Sequence, residues 1–391
     1  MLGTKADRKM KVGLHTVDLF PGRERLMPFR TVLEVARVMA VHGWQADVLN
    51  SNVSERGASD FEWMGVRVVQ CPRDFAELCR WVDGRGYDAF FFAATIREGL
   101  RDLRAFGTMK CRKVAYVPSG ITTKWNALQL FRHYGIFAKA WLLEAFTPKR
   151  LVAEKLRRAG FEAIIGLTAY TSRKVGGPLP ATTIYPGKDG FEHIAPDPSA
   201  LEVAGLHGQK FYLFTGAPGQ VRGSLLLLRA FDQFAARHES ERPRIVFLMR
   251  NDLGAQYDLF FKTLSGIKHK DFVTVLCQKL TIPQLKAFME AAYAVVLPFV
   301  CIPAEVPITY YEVMSCATPV VSFNNAGTTE YLKAGIKSAG RVSVDNLSKA
   351  LSQLWTDERE RNRLATGAVS LMAHHPTWEQ VGLKWMSMIE N

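Results

Sequence analysis

Residues 304–321 read AEVPITYYEVMSCATPVV, and this stretch indicates the fold more directly than any other part of the chain. It lies between two β-rich runs, residues 294–299 and 320–323, so the predicted order is strand, loop, helix and strand. One carboxylate, Glu305, falls in the loop, and a second, Glu312, falls inside the helix. This order is typical of a parallel α/β sheet, in which ligands bind beyond the carboxyl ends of the strands.

The start of the predicted helix indicates what kind of ligand would bind there. Backbone N–H groups near Ile308 and Thr309, just after Pro307, would point out of the helix start, where a phosphate binds readily. A carboxylate accepts hydrogen bonds from sugar or ribose hydroxyls but repels a phosphate. The stretch therefore suggests a ligand that has both hydroxyls and phosphate, such as a nucleotide sugar.

Length and composition place the chain among ordinary globular proteins of two to three domains. It has 391 residues, of which 48% are hydrophobic and 22% are charged. The first residues lack the apolar run of a signal peptide, and no stretch approaches a membrane span. The six cysteines have no zinc spacing, so we expect reduced thiols, a cytoplasmic location and no bound metal.

The net charge of +13 is unevenly distributed along the chain. Residues 1–195 contain 30 Lys and Arg against 19 Asp and Glu, whereas residues 196–391 contain 20 against 18. The first half thus has a net charge of +11 and the second half of +2. This asymmetry predicts an acidic partner for the first half.

Strand and helix patterns alternate in both halves of the chain, and a Pro- and Gly-rich segment separates them. We therefore predict an α/β protein of two Rossmann-like domains facing a cleft, over residues 1–195 and 196–375. Residues 376–391 are predicted to form a C-terminal helix that could pack back on the first domain. A cleft between two such domains is a common place for a binding site.

At this point the chain resembles a GT-B glycosyltransferase, most closely the large retaining family 4, also called glycosyl transferases group 1. That family has a Gly-Arg-x-x-x-x-Lys-Gly loop, which matches residues 216–223 with Arg222 in place of Lys and Ala217 in place of Arg. It also has a Glu-x7-Glu signature, which matches Glu305 and Glu312 with one residue fewer between them. The Pro-Val-Val sequence that follows the second glutamate is the same here.

The resemblance implies a role for each matching position. Glu312 would bind the ribose of the donor, Glu305 would face the transferred sugar, and Arg222 would hold the diphosphate. Basic side chains and a helix start would stabilise the leaving group, so neither metal nor cofactor is expected. The implied catalytic residues are Glu305 and Arg222, and the implied donor-binding residues are Gly22, Gly216, Arg222, Pro307, Ile308, Thr309 and Glu312.

Two further positions depart from the family. A histidine often follows the fourth strand of the first domain, where this chain has Ser119. His15, at the end of the first strand, would in principle face the same cleft. Ala317 stands where the family prefers glycine.

A basic and aromatic segment over residues 124–158 suits contact with an anionic membrane surface. The positions expected to touch membrane or acceptor are Lys124, Trp125, Arg132, Lys139 and Trp141. The same composition is compatible with core aromatics beside a solvated face. It also occurs in nucleic-acid-binding proteins, but we expect no nucleic acid as partner.

Together these features predict a metal-independent, retaining hexosyltransferase that uses a nucleotide-diphosphate sugar. Its acceptor would be lipid-linked or an anionic glycan, and the protein would be peripheral on the inner, cytoplasmic face of the membrane. One alternative is a nucleotide-sugar-binding homologue without transferase activity. Another is a nucleotide-sugar epimerase, which would leave the basic first domain unexplained.

Overall fold

The computed structural model describes residues 9–51, 59–249, 254–301, 306–332 and 334–390. Two mainly parallel sheets, each covered by helices, form two Rossmann-like domains, as the strand and helix alternation predicts. The central strands are largely apolar on both faces because helices cover both sides of each sheet; the run Ala89–Ala93, for example, is buried throughout.

The first sheet has eight strands in the order β3-β4-β2-β1-β5-β6-β7-β8, and only β3 runs antiparallel to its neighbour. Its elements are β1 (Lys11–Val17), α1 (Phe29–Val41), β2 (Gln45–Ser51), β3 (Phe61–Trp63), β4 (Val66–Gln70), α2 (Phe75–Gly84), β5 (Ala89–Ala93), β6 (Arg112–Val117), α3 (Lys124–Tyr134), α4 (Lys139–Phe146), α5 (Lys149–Arg158), β7 (Ala163–Gly166), α6 (Ala169–Val175) and β8 (Ala181–Thr183).

The second sheet has six parallel strands in the order β11-β10-β9-β12-β13-β14. Its elements are α7 (Ser199–Val203), β9 (Phe211–Thr215), α8 (Ser224–Arg237), β10 (Arg244–Met249), α9 (Ala255–Ser265), β11 (Val273–Cys277), α10 (Ile282–Ala291), β12 (Ala294–Val296), α11 (Ile308–Ser315), β13 (Val320–Ser322), β14 (Ile336–Ser338), α12 (Val344–Thr356) and α13 (Glu358–His374).

The last helix, α14 (Trp378–Glu390), returns to the first domain and packs on α1. Trp385 is fully buried there and its ring lies 5.0 Å from Phe91 and 5.2 Å from Tyr116, measured between ring centroids. Gly382 lies so close to Val38 that a Cβ atom would meet its side chain at 2.3 Å. The first core is therefore completed by the end of the chain.

The two domains touch through polar contacts as well as through α14. Asn126 at the start of α3 donates from Nδ2 to Asn325 Oδ1 at 2.5 Å. The carboxylate of Glu330 accepts from the backbone N–H of Ala169 at 3.3 Å and from the hydroxyl of Tyr185 at 2.6 Å. These contacts bring the carboxyl edges of the two sheets to opposite sides of the cleft.

A strained alanine ends α11. Ala317 has a φ of +53° and donates its N–H to Met314 O at 3.1 Å, while Thr318 donates to Val313 O at 3.4 Å. This is the Schellman arrangement, in which the left-handed position is usually glycine because a Cβ atom is unfavourable there. The side chain of Ala317 is exposed, so its methyl group contributes no core packing.

We expect Ala317→Gly to stabilise the protein by about 0.5–1 kcal/mol, since the relief of strain exceeds the extra backbone entropy of glycine. Chemical denaturation of the two proteins measures the difference. Ala204→Gly is the matched control, because Ala204 ends a helix at a φ of −79°. That substitution should lower the stability, and equal effects of both changes would contradict the strain at Ala317.

Candidate active site

The loop of residues 216–223 connects β9 to α8 and is held by its glycines. Gly216 has a φ of +127° and Gly223 a φ of +74°. A Cβ atom on Gly223 would lie 1.9 Å from the carbonyl oxygen of Pro298, so only glycine fits there. The neighbouring N–H of Val300 donates to Val221 O at 2.9 Å. These contacts fasten the loop to the segment that follows β12.

Arg222 lies across this loop. Its Nη1 atom is 2.6 Å from where a Cβ atom of Gly216 would be, and its guanidinium carbon is 5.8 Å from the centroid of the Phe299 ring. The side chain is half-buried and close to the carboxyl ends of β9 and β12, which are adjacent strands. A cation held at this edge is well placed to bind a phosphate group.

The start of α11 lies beside the same edge. Pro307 precedes the helix in an extended conformation, and Ile308 and Thr309 open its first turn. The N–H groups of a first turn have no partner within the helix and favour anions. Ile308 packs against the cores of both domains, so this helix start lies at the domain interface.

Glu312 is one turn farther along α11 and is buried. Its Oε1 atom accepts a hydrogen bond from Arg25 Nη2 of the first domain at 3.3 Å. Burial raises the pKa of Glu312 to about 7, an effect that Arg25 opposes and Asp189 adds to. The carboxyl is thus the kind of buried polar group that needs a partner, and in this structure the partner comes from across the cleft.

The loop after β1 places Arg25 there. Leu19 and the side chain of Asn50 exchange two hydrogen bonds, of 3.0 and 2.9 Å, which fix the start of the loop. Gly22 has a φ of +90°, and no atom lies within 4 Å of where its Cβ would be. Glycine is therefore required for its backbone conformation and not for lack of space.

The structure does not place Glu305 or His15 on the cleft surface, for two different reasons. Glu305 falls within the undescribed residues 302–305, so its predicted catalytic position stays a prediction. His15 is buried and not exposed to the cleft: its Nε2 is 3.0 Å from Ser51 Oγ, and burial lowers its pKa to about 3. Ser119, at the position where the resemblance led us to look for a histidine, has a buried hydroxyl without a hydrogen-bond partner among the described residues.

The predicted membrane or acceptor residues divide into two groups. Lys124, Trp125, Arg132 and Lys139 are solvent-accessible on α3 and α4. Trp141, in contrast, is partly buried and packs against the core of the second domain, because α3 and α4 lie along the domain interface.

Sequence reasoning missed Arg25 altogether, and it missed two exposed leucines beside the predicted aromatics. Large apolar side chains form an exposed patch, here called the α3–α4 patch, which consists of Trp125, Leu128, Phe131, Leu143 and Phe146, each 43–54% exposed. The helical spacing of residues 125, 128 and 131 was a signal that could have identified the face on α3. No comparable signal marks Arg25, because its partner is far away in the chain.

Two negative findings concern the described part of the chain. No group of three His, Cys, Asp or Glu residues there is arranged to hold a metal ion. Its helices also include none with both the length and the apolar character required to cross a bilayer.

A family model matches part of this chain, and solved structures of similar fold cover nearly all of it. Residues 209–357, which contain the Arg222 loop and α11, match the family model described as glycosyl transferases group 1. A search of curated proteins gave no significant match to this sequence.

Solved structures of similar fold cover nearly the whole chain. Sucrose-phosphate synthase from Thermosynechococcus elongatus superposes with a TM-score of 0.75 at 15% identity, covering 98% of both chains. HepE from Anabaena, in complex with UDP, gives 0.69 at 14% identity, covering 97% of this chain and 99% of that one. Alpha,alpha-trehalose 6-phosphate synthase from Burkholderia multivorans gives 0.67 at 11% identity, with 98% of both chains covered. The fold is therefore GT-B.

Proposed function

Because the chain has the GT-B fold and its second domain matches the glycosyl transferases group 1, we propose that it is a retaining hexosyltransferase that uses a nucleotide-diphosphate sugar. The observation that supports this best is the convergence of Arg222, the start of α11 and Glu312 at one edge of the second sheet. This edge offers a cation and N–H groups for a diphosphate, and a carboxylate for ribose hydroxyls.

In the proposed reaction a hydroxyl oxygen of the acceptor forms a bond to the anomeric carbon while the bond from that carbon to the diphosphate breaks. The hydroxyl proton passes to the departing diphosphate, on the same face of the sugar. Arg222 and the N–H groups at Ile308 and Thr309 stabilise the charge that develops on the leaving group, and Glu305 faces the transferred sugar. These groups carry the leaving diphosphate without a metal ion.

The donor nucleotide is best sought first among uridine nucleotides. The solved structures of Anabaena HepE are complexes with UDP, with UDP and glucose, and with UDP-glucose. Because this chain has the same fold, UDP-sugars are the first donors to test, followed by GDP- and ADP-sugars.

The proposed acceptor is lipid-linked or an anionic glycan, and the proposed place of action is the cytoplasmic face of a membrane. The α3–α4 patch supports this, because it joins five exposed apolar side chains to the cations Lys124, Arg132 and Lys139. The Nζ atom of Lys124 lies 5.2 Å from the centroid of the Phe146 ring, so charge and aromatic surface are adjacent. Aromatic rings at headgroup level and nearby cations together favour an anionic bilayer.

Co-sedimentation with vesicles tests the membrane part of the proposal. Replacing Trp125 and Phe131 by serine should weaken binding to vesicles containing anionic lipid by at least about 10-fold, because each large apolar side chain contributes about 1.5–3 kcal/mol when fully buried. The control replaces Leu259 and Phe261 on α9, which are 39% and 44% exposed, by serine. An equal loss in both double variants, or no loss in either, would overturn the role of the patch.

Thermal-shift measurements with UDP-, GDP- and ADP-sugars test the donor, since a ligand that binds only the folded state raises the unfolding midpoint. Release of nucleoside diphosphate on addition of lipid vesicles then tests the transfer. A stabilising donor without release would favour the binding homologue, and a changed sugar without release would favour the epimerase. Failure of every nucleotide sugar to stabilise the protein would refute the proposed function.

A further inference from the structure

The Arg222 loop supplies only one cation to the proposed diphosphate site. Within residues 216–223 Arg222 is the only charged residue. Position 217, which is arginine in the family loop that this segment resembles, is alanine here. A departing diphosphate carries at least two negative charges, and charge-assisted hydrogen bonds are the main means of stabilising them. A second cation from outside the loop would complete the site.

Arg25 is close to where that cation is needed. Its guanidinium contacts Glu312 at 3.3 Å, and its side chain is 48% exposed whereas that of Glu312 is 7% exposed. Ile308 and Glu312 lie on the same face of α11 because they are four residues apart. The helix start is therefore about one turn, or roughly 5.4 Å, from the group that Arg25 now contacts.

The backbone around Arg25 is fixed while its side chain extends into the cleft. Leu26 donates its N–H to Arg23 O at 2.8 Å, which closes a turn around Arg25. Leu26 packs against the first core, and Asn50 holds Leu19 at the other end of the loop. A partly exposed arginine on such a turn can exchange partners by rotation of its side chain alone.

We propose that Arg25 supplies the second cation of the diphosphate site from across the cleft. It would do so in place of an arginine at position 217, where this chain has alanine. Without donor, Arg25 pairs with Glu312. When donor binds, the ribose hydroxyls take over Glu312, and the guanidinium turns to the diphosphate. This inference rests on the proposed use of a nucleotide-diphosphate donor.

The exchange is electrostatically reasonable for both partners. Glu312 keeps hydrogen-bond donors, since two ribose hydroxyls replace the guanidinium. Arg25 leaves a single carboxylate for a group of greater negative charge, which its planar fork can bind through two hydrogen bonds. Because Arg25 belongs to the first domain and Arg222 to the second, the diphosphate would also draw the two domains together.

Calorimetric titration with UDP and UMP tests the assignment. Arg25→Ala should weaken UDP binding by at least about 10-fold and UMP binding by less than about threefold, because charge-assisted hydrogen bonds to the second phosphate are lost. Adding Ala217→Arg to this variant should restore most of the UDP affinity, since it returns a cation to the loop. Arg23→Ala is the control, because Arg23 is held by Asp18 O and the Phe20 ring and should change neither affinity.

Three outcomes would decide against the inference or its premise. If Arg25→Ala binds UDP as tightly as the wild type or more tightly, Arg25 only competes with the donor for Glu312. If UDP and UMP affinities fall by the same factor, Arg25 acts on the nucleoside through Glu312 and not on the diphosphate. If the wild-type protein binds none of UDP, GDP and ADP, the proposed function itself fails. That result comes from the wild type alone and is therefore distinct from the two results obtained with the variants.

Discussion

Arg222→Ala is expected to lower the rate of sugar transfer by about 100- to 1,000-fold, the usual effect of removing one group that stabilises developing negative charge. The side chain lies over Gly216 and beside Phe299 and is only half-buried, so its loss removes little core packing. The unfolding midpoint should therefore change by no more than a few degrees. Initial rates of nucleoside diphosphate release with a saturating donor measure the effect.

Two companion variants make this expectation specific. Arg222→Lys should retain most of the activity, because a lysine at this position still places one positive charge beside the diphosphate. Arg229→Ala removes an exposed arginine from α8, the helix that follows the loop, and should leave transfer unchanged. A wild-type rate in Arg222→Ala would remove Arg222 from the mechanism. Glu305→Gln should also lower transfer by a large factor, through its predicted contact with the transferred sugar.

Gly223→Ala is expected to destabilise the second domain by at least about 3 kcal/mol, which exceeds the roughly 1–2 kcal/mol cost of a left-handed conformation for alanine. The added Cβ atom would meet the carbonyl oxygen of Pro298 at 1.9 Å, and a backbone atom cannot move aside as a flexible side chain can. The loop would have to separate from the segment after β12, which also moves Arg222. Thermal unfolding should show a midpoint lower by at least about 6 °C.

A second glycine in the same domain separates the two causes. Gly205 has a φ of +64°, but no atom lies within 4 Å of where its Cβ would be. Gly205→Ala should therefore cost only about 1–2 kcal/mol, the price of conformation alone. If both variants lose the same stability, the contact with Pro298 is not a close one in solution, and the attachment of the loop would need another explanation.

The local patterns predicted much of this structure. The strand, loop, helix and strand order predicted around residues 304–321 appears as β12, α11 and β13, and the helix predicted within residues 376–391 appears as α14. These features are visible in sequence because hydrophobic periodicity and glycine positions are local signals. The match of Glu312 to a family glutamate likewise depends on its immediate neighbours.

Contacts between distant parts of the chain were not predictable in this way. Arg25 and Glu312 are 287 residues apart, and nothing in the neighbourhood of either indicates the other. Trp141 was predicted to touch membrane or acceptor because residues 124–158 as a whole are basic and aromatic, whereas its side chain packs against the core of the second domain. The tertiary arrangement decides which face of α3 and α4 is exposed, and periodicity alone leaves that choice open.

The position of α14 has a consequence for co-translational folding. Domains usually fold in order as the chain emerges, the first one earliest. Here the first core lacks Trp385 and Ile389, which are 0% and 3% exposed, until the second domain has been synthesised. The apolar face of α1 on which α14 packs must therefore stay uncovered throughout most of translation. We expect the first domain to remain an incompletely folded intermediate that chaperones can bind. The second domain would then be the first to reach its native packing.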